Sequence, residues 1–204
     1  MTRKRLNVVV TTALLVVLSA CNNGSPATTA ARDPAGKPLH YIALGGDDAY
    51  GARQRLDNSW PQLLFRENLP ANATLVNLAS PRHGAAEIRD DELPVALRLR
   101  PDIVTITALD DLERATNPAD VQSQLSAIIR SLRALKAVRV LVGTAPLDIA
   151  PPSAVSAFNV AVTTAARASG AELVDLGSVN AANQQQRGEQ IASAFARVLA
   201  GTRP

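Results

Sequence analysis

The residues best suited to chemistry in this chain are carboxylates that directly follow apolar, strand-like segments. Asp47 and Asp48 follow one such segment, and Asp110 and Asp111 follow another. Carboxylate oxygens are the ligands that calcium and magnesium prefer, so one interpretation is a hard-cation site. A second is a pair of acids for glycoside hydrolysis. We favour a third, in which these acids cap helix N-termini and face water, so that no metal and no cofactor are expected.

A second reactive group is formed by Ser80 and His83. A serine with a nearby histidine can provide a nucleophile and a base. His83 lies in the polar segment Pro81-Arg82-His83-Gly84, and the interpretation that we favour is a histidine at the surface. The charge-rich helical segment 87–92, which follows, is predicted to face solvent.

Five apolar runs have the length and composition of β-strands, and each is followed by a segment of helical length. Strands that alternate with helices predict a parallel sheet with helices on both faces. We therefore expect an α/β fold, a flavodoxin-like three-layer α/β/α sandwich with a five-stranded parallel sheet. The predicted strands are His40–Leu44, Thr74–Leu78, Ile103–Thr107, Val138–Val142 and Glu172–Leu176.

The clearest helix begins at Asn117-Pro118, a typical helix start, and continues with apolar residues at helical spacing up to Leu135. A second apolar stripe predicts a helix around Ile191 to Leu199. Trp60-Pro61 begins another helix, in which we expect the indole to pack against the sheet rather than bind a ligand. Working residues of such sheets lie on the loops after the strands, which directs attention to the segments after residues 44, 78, 107, 142 and 176.

The first 20 residues are predicted to be an export signal. A basic start, Arg3 to Arg5, precedes an uncharged apolar stretch that is too short to span a bilayer comfortably. The stretch ends in Leu18-Ser19-Ala20-Cys21, which resembles the lipobox of bacterial lipoproteins, and Cys21 is the only cysteine of the chain. This resemblance implies lipidation at Cys21, a flexible tether up to residue 37, and a domain over 38–204 that is exported and anchored to the cell envelope.

The formal net charge of +3 does not indicate nucleic-acid binding. Residues 1–20 hold three basic and no acidic side chains, so the remainder of the chain is neutral. The excess of basic residues belongs to the predicted export signal, and no nucleic-acid partner is expected.

Several segments of the domain, taken in chain order, resemble the blocks of the SGNH/GDSL hydrolases. That family resemblance implies the same α/β/α fold, together with a serine nucleophile, a histidine base, an aspartate that orients the histidine, and an oxyanion hole of backbone N–H groups and an asparagine. The similar segments are 41–45 with Gly51, 77–79, 100–106, 143–146, Phe158-Asn159, and Gly188 with Ile191, Ala192 and Phe195.

The positions that match the family's catalytic residues hold other residue types here. Asp47 stands at the serine position, after Gly46 instead of an aspartate, and Asp110 stands at the asparagine position. Asn180 and Asn183 stand at the aspartate and histidine positions. The second-block glycine corresponds to Arg82 by strict spacing, or to Gly84 if the loop is two residues longer.

These replacements remove the groups that ester cleavage needs. An ionised Asp110 accepts hydrogen bonds but donates none, so it would repel a developing oxyanion, and Asn183 has no basicity near neutral pH.

We therefore predict an esterase-like domain without esterase activity that acts in binding or scaffolding. An envelope saccharide or an acylated ligand is the expected partner, beside the membrane reached through Cys21. The alternative is an active ester or carbohydrate-ester hydrolase with a rearranged set, for which Ser80, His83 and the acid Asp47 or Asp110 are the candidates. The predicted ligand pocket comprises Gly46, Asp47, Asp48, Arg82, His83, Gly84, Asp110 and Asp111.

Overall fold

A computed structural model describes residues 37–52 and 55–201. Five parallel strands form one sheet in the order β2-β1-β3-β4-β5. The predicted α/β fold is thus confirmed, and every predicted strand is present with its end shifted by at most two residues. The strands are β1 His40–Gly45, β2 Thr74–Asn77, β3 Ile103–Thr107, β4 Arg139–Gly143 and β5 Glu172–Val174.

Eight α-helices connect and extend the strands in the described part of the chain. The predicted long helix is confirmed over Pro118–Arg133, with the Asn117 side chain capping its first turn. The helices are α1 Asp47–Tyr50, α2 Trp60–Asn68, α3 Ala85–Glu87, α4 Leu93–Leu99, α5 Asp110–Glu113, α6 Pro118–Arg133, α7 Pro152–Ser169 and α8 Gln184–Leu199. A π-helical segment, Ile88–Glu92, joins α3 to α4 without a break.

The strands bury both of their faces, as expected for a parallel sheet between two layers of helices. Ile42, Leu44 and Val104 face the layer that contains α4, α6 and α7. Tyr41 and Ala43 face α2 and α8, where Trp60 stacks on Phe195 with ring centroids 4.6 Å apart. The prediction that Trp60 packs in the interior is therefore confirmed. The residues of both cores in the described part of the chain lie between Leu39 and Leu199.

The predicted export signal, Cys21 and nearly all of the predicted tether lie outside the described residues. Within the described ranges, no helix combines the length and the apolar character needed to cross a bilayer.

Candidate functional site

Two of the predicted site residues meet directly at the carboxyl end of the sheet. Asp47 begins α1, immediately after β1, and Asp110 begins α5, after β3. Since β1 and β3 are neighbours in the sheet, their following turns come together. The backbone N–H of Asp47 donates to Oδ2 of Asp110 at 2.9 Å. Asp110 thereby caps the first turn of α1 across the sheet, although its side chain is buried and does not face water.

Gly46 is required for this contact. A Cβ atom at Gly46 would lie 1.7 Å from Oδ2 of Asp110 and 2.5 Å from the carbonyl oxygen of His83. Any larger residue would displace the carboxylate or the neighbouring loop. The carboxylate of Asp110 can therefore reach the N–H of Asp47 only because position 46 has no side chain.

The carboxylate of Asp47 is bound as well. Its Oδ1 accepts the backbone N–H of Arg82 at 2.8 Å. Arg82 has a φ of 65°, in the left-handed region that favours glycine. Gly84 instead donates its N–H to Glu87 at 2.9 Å. Of the two sequence alternatives, Arg82 is the residue whose N–H faces the first turn.

The remaining two acids point away from this contact. Oδ2 of Asp48 accepts the indole N–H of Trp60 at 3.1 Å, and burial raises the pKa of Asp48. Asp111 is buried, and its Oδ2 accepts the N–H of Ala85, the first residue of α3, at 2.7 Å. The four acids therefore do not converge. The expectation that they cap helices is correct for Asp110 and Asp111, whereas the expectation that they face water is wrong for both.

A pair of side chains lies behind these turns: Glu92 is buried, and His83 is half-buried and not at the surface as the sequence favoured. Oε1 of Glu92 is 2.8 Å from Nδ1 of His83, and Oε2 accepts the N–H of Gly45 at 2.9 Å. Glu92 is 3% exposed and the His83 side chain is 21% exposed. The prediction of a solvated face for residues 87–92 is therefore wrong for Glu92. The π-helical segment directs this residue inward, and such segments are often found at functional sites. Ser80 lies in the same turn, where its carbonyl accepts the N–H of His83.

A crevice of about 260 Å³ opens beside Asp47 and Asp110. Glu113 lies close to both acids, Leu109, Leu112 and Ile149 provide apolar surface, and Arg187 of α8 also lines the crevice. Arg187 donates two hydrogen bonds, of 2.9 and 2.8 Å, to the carboxylate of Asp148. Of the predicted pocket residues, Asp47, Asp48 and Asp110 line this crevice. Gly46, Arg82, His83, Gly84 and Asp111 support it from behind or lie to the side.

The crevice has an acidic wall. Asp47, Asp110 and Glu113 each bring one carboxylate oxygen within 4.8 Å of the others, which is close enough to hold a hard cation. Burial raises the pKa of Asp110 to about 7, and the neighbouring charges of Asp48 and Asp47 act in the same direction. Burial likewise raises the pKa of Glu92 to about 8. Asp110 can therefore be protonated near neutral pH, and a proton there competes with any cation.

The two asparagines at the family's aspartate and histidine positions have structural contacts. The Asn183 side chain caps α8 by accepting the N–H of Gln186 at 2.9 Å. The backbone of Asn180 exchanges hydrogen bonds with the side chain of Gln190. Both asparagines are exposed, and the crevice is lined instead by Gln184 and Arg187 from this segment.

Sequence reasoning missed Glu92, Glu113, Asp148 and Arg187 as residues of the site. Glu113 follows Asp110 by three residues, which is the spacing of one helical face, so this signal was available. Asp148 lies in the loop after β4, which the fold prediction had marked. Nothing in the sequence distinguishes Glu92 from its exposed acidic neighbours, because the π-helical segment that turns it inward leaves no pattern.

Comparison with known proteins agrees with this architecture. The model of the GDSL-like Lipase/Acylhydrolase family matches residues 42–195. The crystal structure of TesA superposes with a TM-score of 0.67 at 17% identity, covering 81% of this chain and 100% of that one. A lipase/acylhydrolase from Enterococcus faecalis gives 0.66 at 16% identity, covering 80% and 96% of the two chains. The psychrotrophic esterase EstA from Pseudoalteromonas sp. gives 0.64 at 13% identity, covering 79% and 97%. No curated protein sequence matches the chain.

Proposed function

Because the chain belongs to the GDSL-like lipase/acylhydrolase family, we propose that it has kept the family's crevice for binding and has lost ester cleavage. We further propose that it is a lipoprotein of the bacterial envelope, anchored through Cys21. The proposal is supported by the contacts around Asp47 and by the residue types at the family's catalytic positions.

One observation carries the loss of activity: the N–H of Asp47 already donates to the carboxylate of Asp110. In ester cleavage, the N–H of the nucleophile residue stabilises the negative charge that develops on the substrate oxygen. Here that donor is occupied by an acceptor of the protein itself. The N–H of Arg82 is engaged in the same way by the carboxylate of Asp47. Losing a single donor of such a hole lowers turnover about 100- to 1000-fold.

The base and the nucleophile are unsuitable as well. Asn183 has no proton affinity near neutral pH, and its side-chain oxygen is used to cap α8. Asp47 could attack an ester only by forming a mixed anhydride. The residues lining the crevice include no histidine to activate water, and Arg187 remains protonated and paired with Asp148.

The crevice fits a small ligand with many hydroxyl groups. Carboxylates such as Glu113 accept hydrogen bonds from hydroxyls, Arg187 donates them, and the leucines offer apolar surface to the C–H face of a sugar ring. A volume of about 260 Å³ is slightly below the roughly 300 Å³ from which pockets for drug-sized ligands begin. We therefore propose a saccharide unit of the envelope as the ligand, in preference to an acyl chain.

An ester panel tests the loss of activity. Purified protein is assayed with p-nitrophenyl esters from acetate to palmitate and with an acetylated saccharide, beside an active GDSL esterase. We expect no turnover above the buffer rate. Turnover that disappears in Asp47→Ala or His83→Ala would contradict the proposal, because it would tie cleavage to these residues.

Thermal shift tests the binding. A saccharide at a hundredfold excess over its Kd raises the stability of the folded state by about 2.7 kcal/mol through mass action. Ala52→Trp should abolish the shift, because Ala52 is exposed and lines the crevice. Ala168→Trp, at an exposed position of α7, is the control. A shift caused only by acylated ligands would overturn the saccharide assignment.

A second candidate function is supported by the pair of His83 and Glu92. A carboxyl group that holds one imidazole nitrogen, as Glu92 holds Nδ1 of His83, is similar to the arrangement that orients a histidine base in hydrolases. With Ser80 in the same turn, these residues could form a relocated catalytic set. This candidate predicts ester turnover that is lost in Ser80→Ala and His83→Ala but retained in Asn183→Ala. The absence of turnover in the panel would remove it.

The proposed anchor is tested in bacterial cells that express the full chain. Labelled fatty acid should be incorporated into the wild-type protein and not into Cys21→Ser. The wild type should fractionate with membranes after export. Equal labelling of both proteins would refute lipidation at Cys21.

A further inference from the structure

Exposed basic side chains are concentrated at the amino end of the sheet, opposite the crevice. The helices of the α4, α6 and α7 layer all end there, and each ends in basic residues. These helices pack side by side on one face of the sheet, so their last turns form a continuous surface. We define this basic face by its six exposed side chains, Arg98, Arg100, Arg130, Arg133, Lys136 and Arg167.

The acids at the same end of the sheet do not neutralise this face. Asp102 accepts hydrogen bonds from Lys37 and from the N–H of His40. Glu172 accepts two hydrogen bonds from Arg139, of 2.9 and 2.6 Å. Both acids are therefore paired with basic residues that do not belong to the basic face. The six charges remain in excess, although the chain after residue 20 is neutral as a whole.

Helix dipoles explain part of this distribution. Cations near a helix C-terminus are favoured by the partial negative charge there. Arg98, Arg130, Arg133 and Arg167 lie in last turns. Arg100 follows the end of α4 and Lys136 follows the end of α6 with φ values of 49° and 66°, outside the helices. Together, the basic residues in the last turns and those just after the helices form one broad basic surface.

We propose that the basic face docks on an anionic lipid bilayer. Clustered lysine and arginine residues next to a membrane are attracted by the negative potential of its headgroups. A single acyl signal combined with a basic patch gives firmer membrane association than either one alone. The docking surface goes beyond the proposed role of the crevice, since it requires neither a ligand there nor an ester reaction, whereas the orientation of the domain rests on the proposed anchor at Cys21.

The point of chain entry fits this orientation. Lys37 and β1 begin at the same end of the sheet as the basic face, because β1 runs from there towards the crevice. Fifteen residues separate Cys21 from Lys37. The predicted tether, with that number of residues, would span roughly 20 Å on average. A domain tethered at Cys21 would thus be held close to the bilayer by the side that has the basic face.

This orientation directs the crevice away from the membrane. The crevice lies at the carboxyl end of the strands, on the far side of the sheet from the basic face. A ligand would therefore enter from the aqueous phase or from the cell wall, and not from the bilayer.

The experiment is cosedimentation with vesicles, using the chain from residue 22 onward, which contains the compact unit of residues 32–204. Cooperative melting of each protein is verified first. Vesicles of equal parts phosphatidylglycerol and phosphatidylcholine are compared with vesicles of phosphatidylcholine alone. The test variant is the triple Arg98→Gln, Arg130→Gln, Lys136→Gln. The matched control, Arg55→Gln, Arg82→Gln, Arg89→Gln, removes the same charge from the opposite end.

We expect binding to the anionic vesicles alone, weakened by salt because screening shortens the reach of the charges. Each basic residue near such a surface strengthens binding about fivefold, so the test triple should bind roughly a hundredfold more weakly. The control triple should bind as the wild type does. Equal loss in both triples, no preference for phosphatidylglycerol, or equally tight binding to duplex DNA at matched phosphate concentration would each overturn the lipid assignment. None of these results bears on the ester panel, so the two proposals fail separately.

Discussion

Asp110 and Glu92 each hold a carboxyl group against a backbone N–H of the turn that follows β1. Asp110 binds the N–H of Asp47, and Glu92 binds that of Gly45. Burial raises both pKa values, to about 7 and about 8, so the folded chain binds these protons more tightly than the unfolded chain. The resulting stabilisation is complete below about pH 4 and is lost as the pH rises through 7 to 8.

Glu92→Gln should remove the larger part of this pH dependence. The amide oxygen can still accept the N–H of Gly45, and the amide NH₂ can donate to Nδ1 of His83. We expect the melting temperature of the wild type to fall between pH 5 and pH 9 and that of the variant to fall less, as measured by calorimetry across this range. A wild-type melting temperature that rises over the same interval would show that Glu92 is ionised in the folded state.

Asp110→Asn should stabilise the protein more at pH 8 than at pH 5. The amide oxygen replaces the buried charge as acceptor for Asp47, and a shift of one pKa unit corresponds to about 1.4 kcal/mol. The gain in the free energy of unfolding at pH 8 should exceed the gain at pH 5 by on the order of 2 kcal/mol, measured by urea denaturation. Asp120→Asn, at an exposed position of α6, serves as the control. The variant should remain inactive towards esters, because Asp47 and Asn183 are unchanged.

Calcium and magnesium test the acidic wall of the crevice. A cation bound by Asp47, Asp110 and Glu113 would raise the melting temperature through mass action. We expect no measurable rise at millimolar concentration at pH 7, because Oδ2 of Asp110 is already hydrogen-bonded and its carboxyl group is partly protonated. A rise that disappears in Glu113→Gln would establish a metal site instead.

At the scale of secondary-structure elements, the loops that carry the family's catalytic groups hold helix caps in this chain. Asp111 caps α3, Asp110 caps α1, and Asn183 caps α8. A cap requires an oxygen acceptor, which aspartate and asparagine supply, whereas catalysis requires the basicity of histidine and the nucleophilicity of serine. The same turns can therefore keep their geometry without the residue types that catalysis requires.

Substitutions of Asn183 test whether its side chain stabilises the protein as a helix cap. Asn183→Ala should lower the free energy of unfolding by about 1 kcal/mol, whereas Asn183→Asp should preserve it, since both asparagine and aspartate accept the N–H of Gln186. Urea denaturation measures both. Asn117→Ala at the start of α6 is the matched control, with an expected loss of similar size. An unchanged stability in Asn183→Ala would mean that the cap contributes nothing.

At the scale of the whole molecule, two hydrophobic cores lie on opposite faces of one sheet. Leu44 and Ile42 belong to the core beneath α6 and α7, and Tyr41 between them belongs to the core beneath α2 and α8. Because neighbouring residues of each strand alternate between the two cores, neither core can unfold while the sheet remains ordered. The domain should therefore unfold as a single cooperative unit.

Phe158→Ala tests this cooperativity. Phe158 is buried in the core of α6 and α7, whereas Trp60, the only tryptophan, reports from the opposite core. The substitution should cost about 3 to 5 kcal/mol. The fluorescence of Trp60 and the far-UV circular dichroism should still follow one shared transition. Separate transitions would show that the two layers unfold independently.

The sequence by itself determined the fold, because apolar runs of strand length that alternate with helical stripes leave only a sheet between two helical layers. It also predicted which residue types stand at the positions that resemble the family's catalytic blocks, since that comparison needs no coordinates. Only the tertiary structure decided that Asp110 reaches the N–H of Asp47, that Arg82 rather than Gly84 faces the first turn, and that Glu92 points inward. These are contacts between segments tens of residues apart, and they depend on distances of a few ångströms that spacing along the chain does not encode.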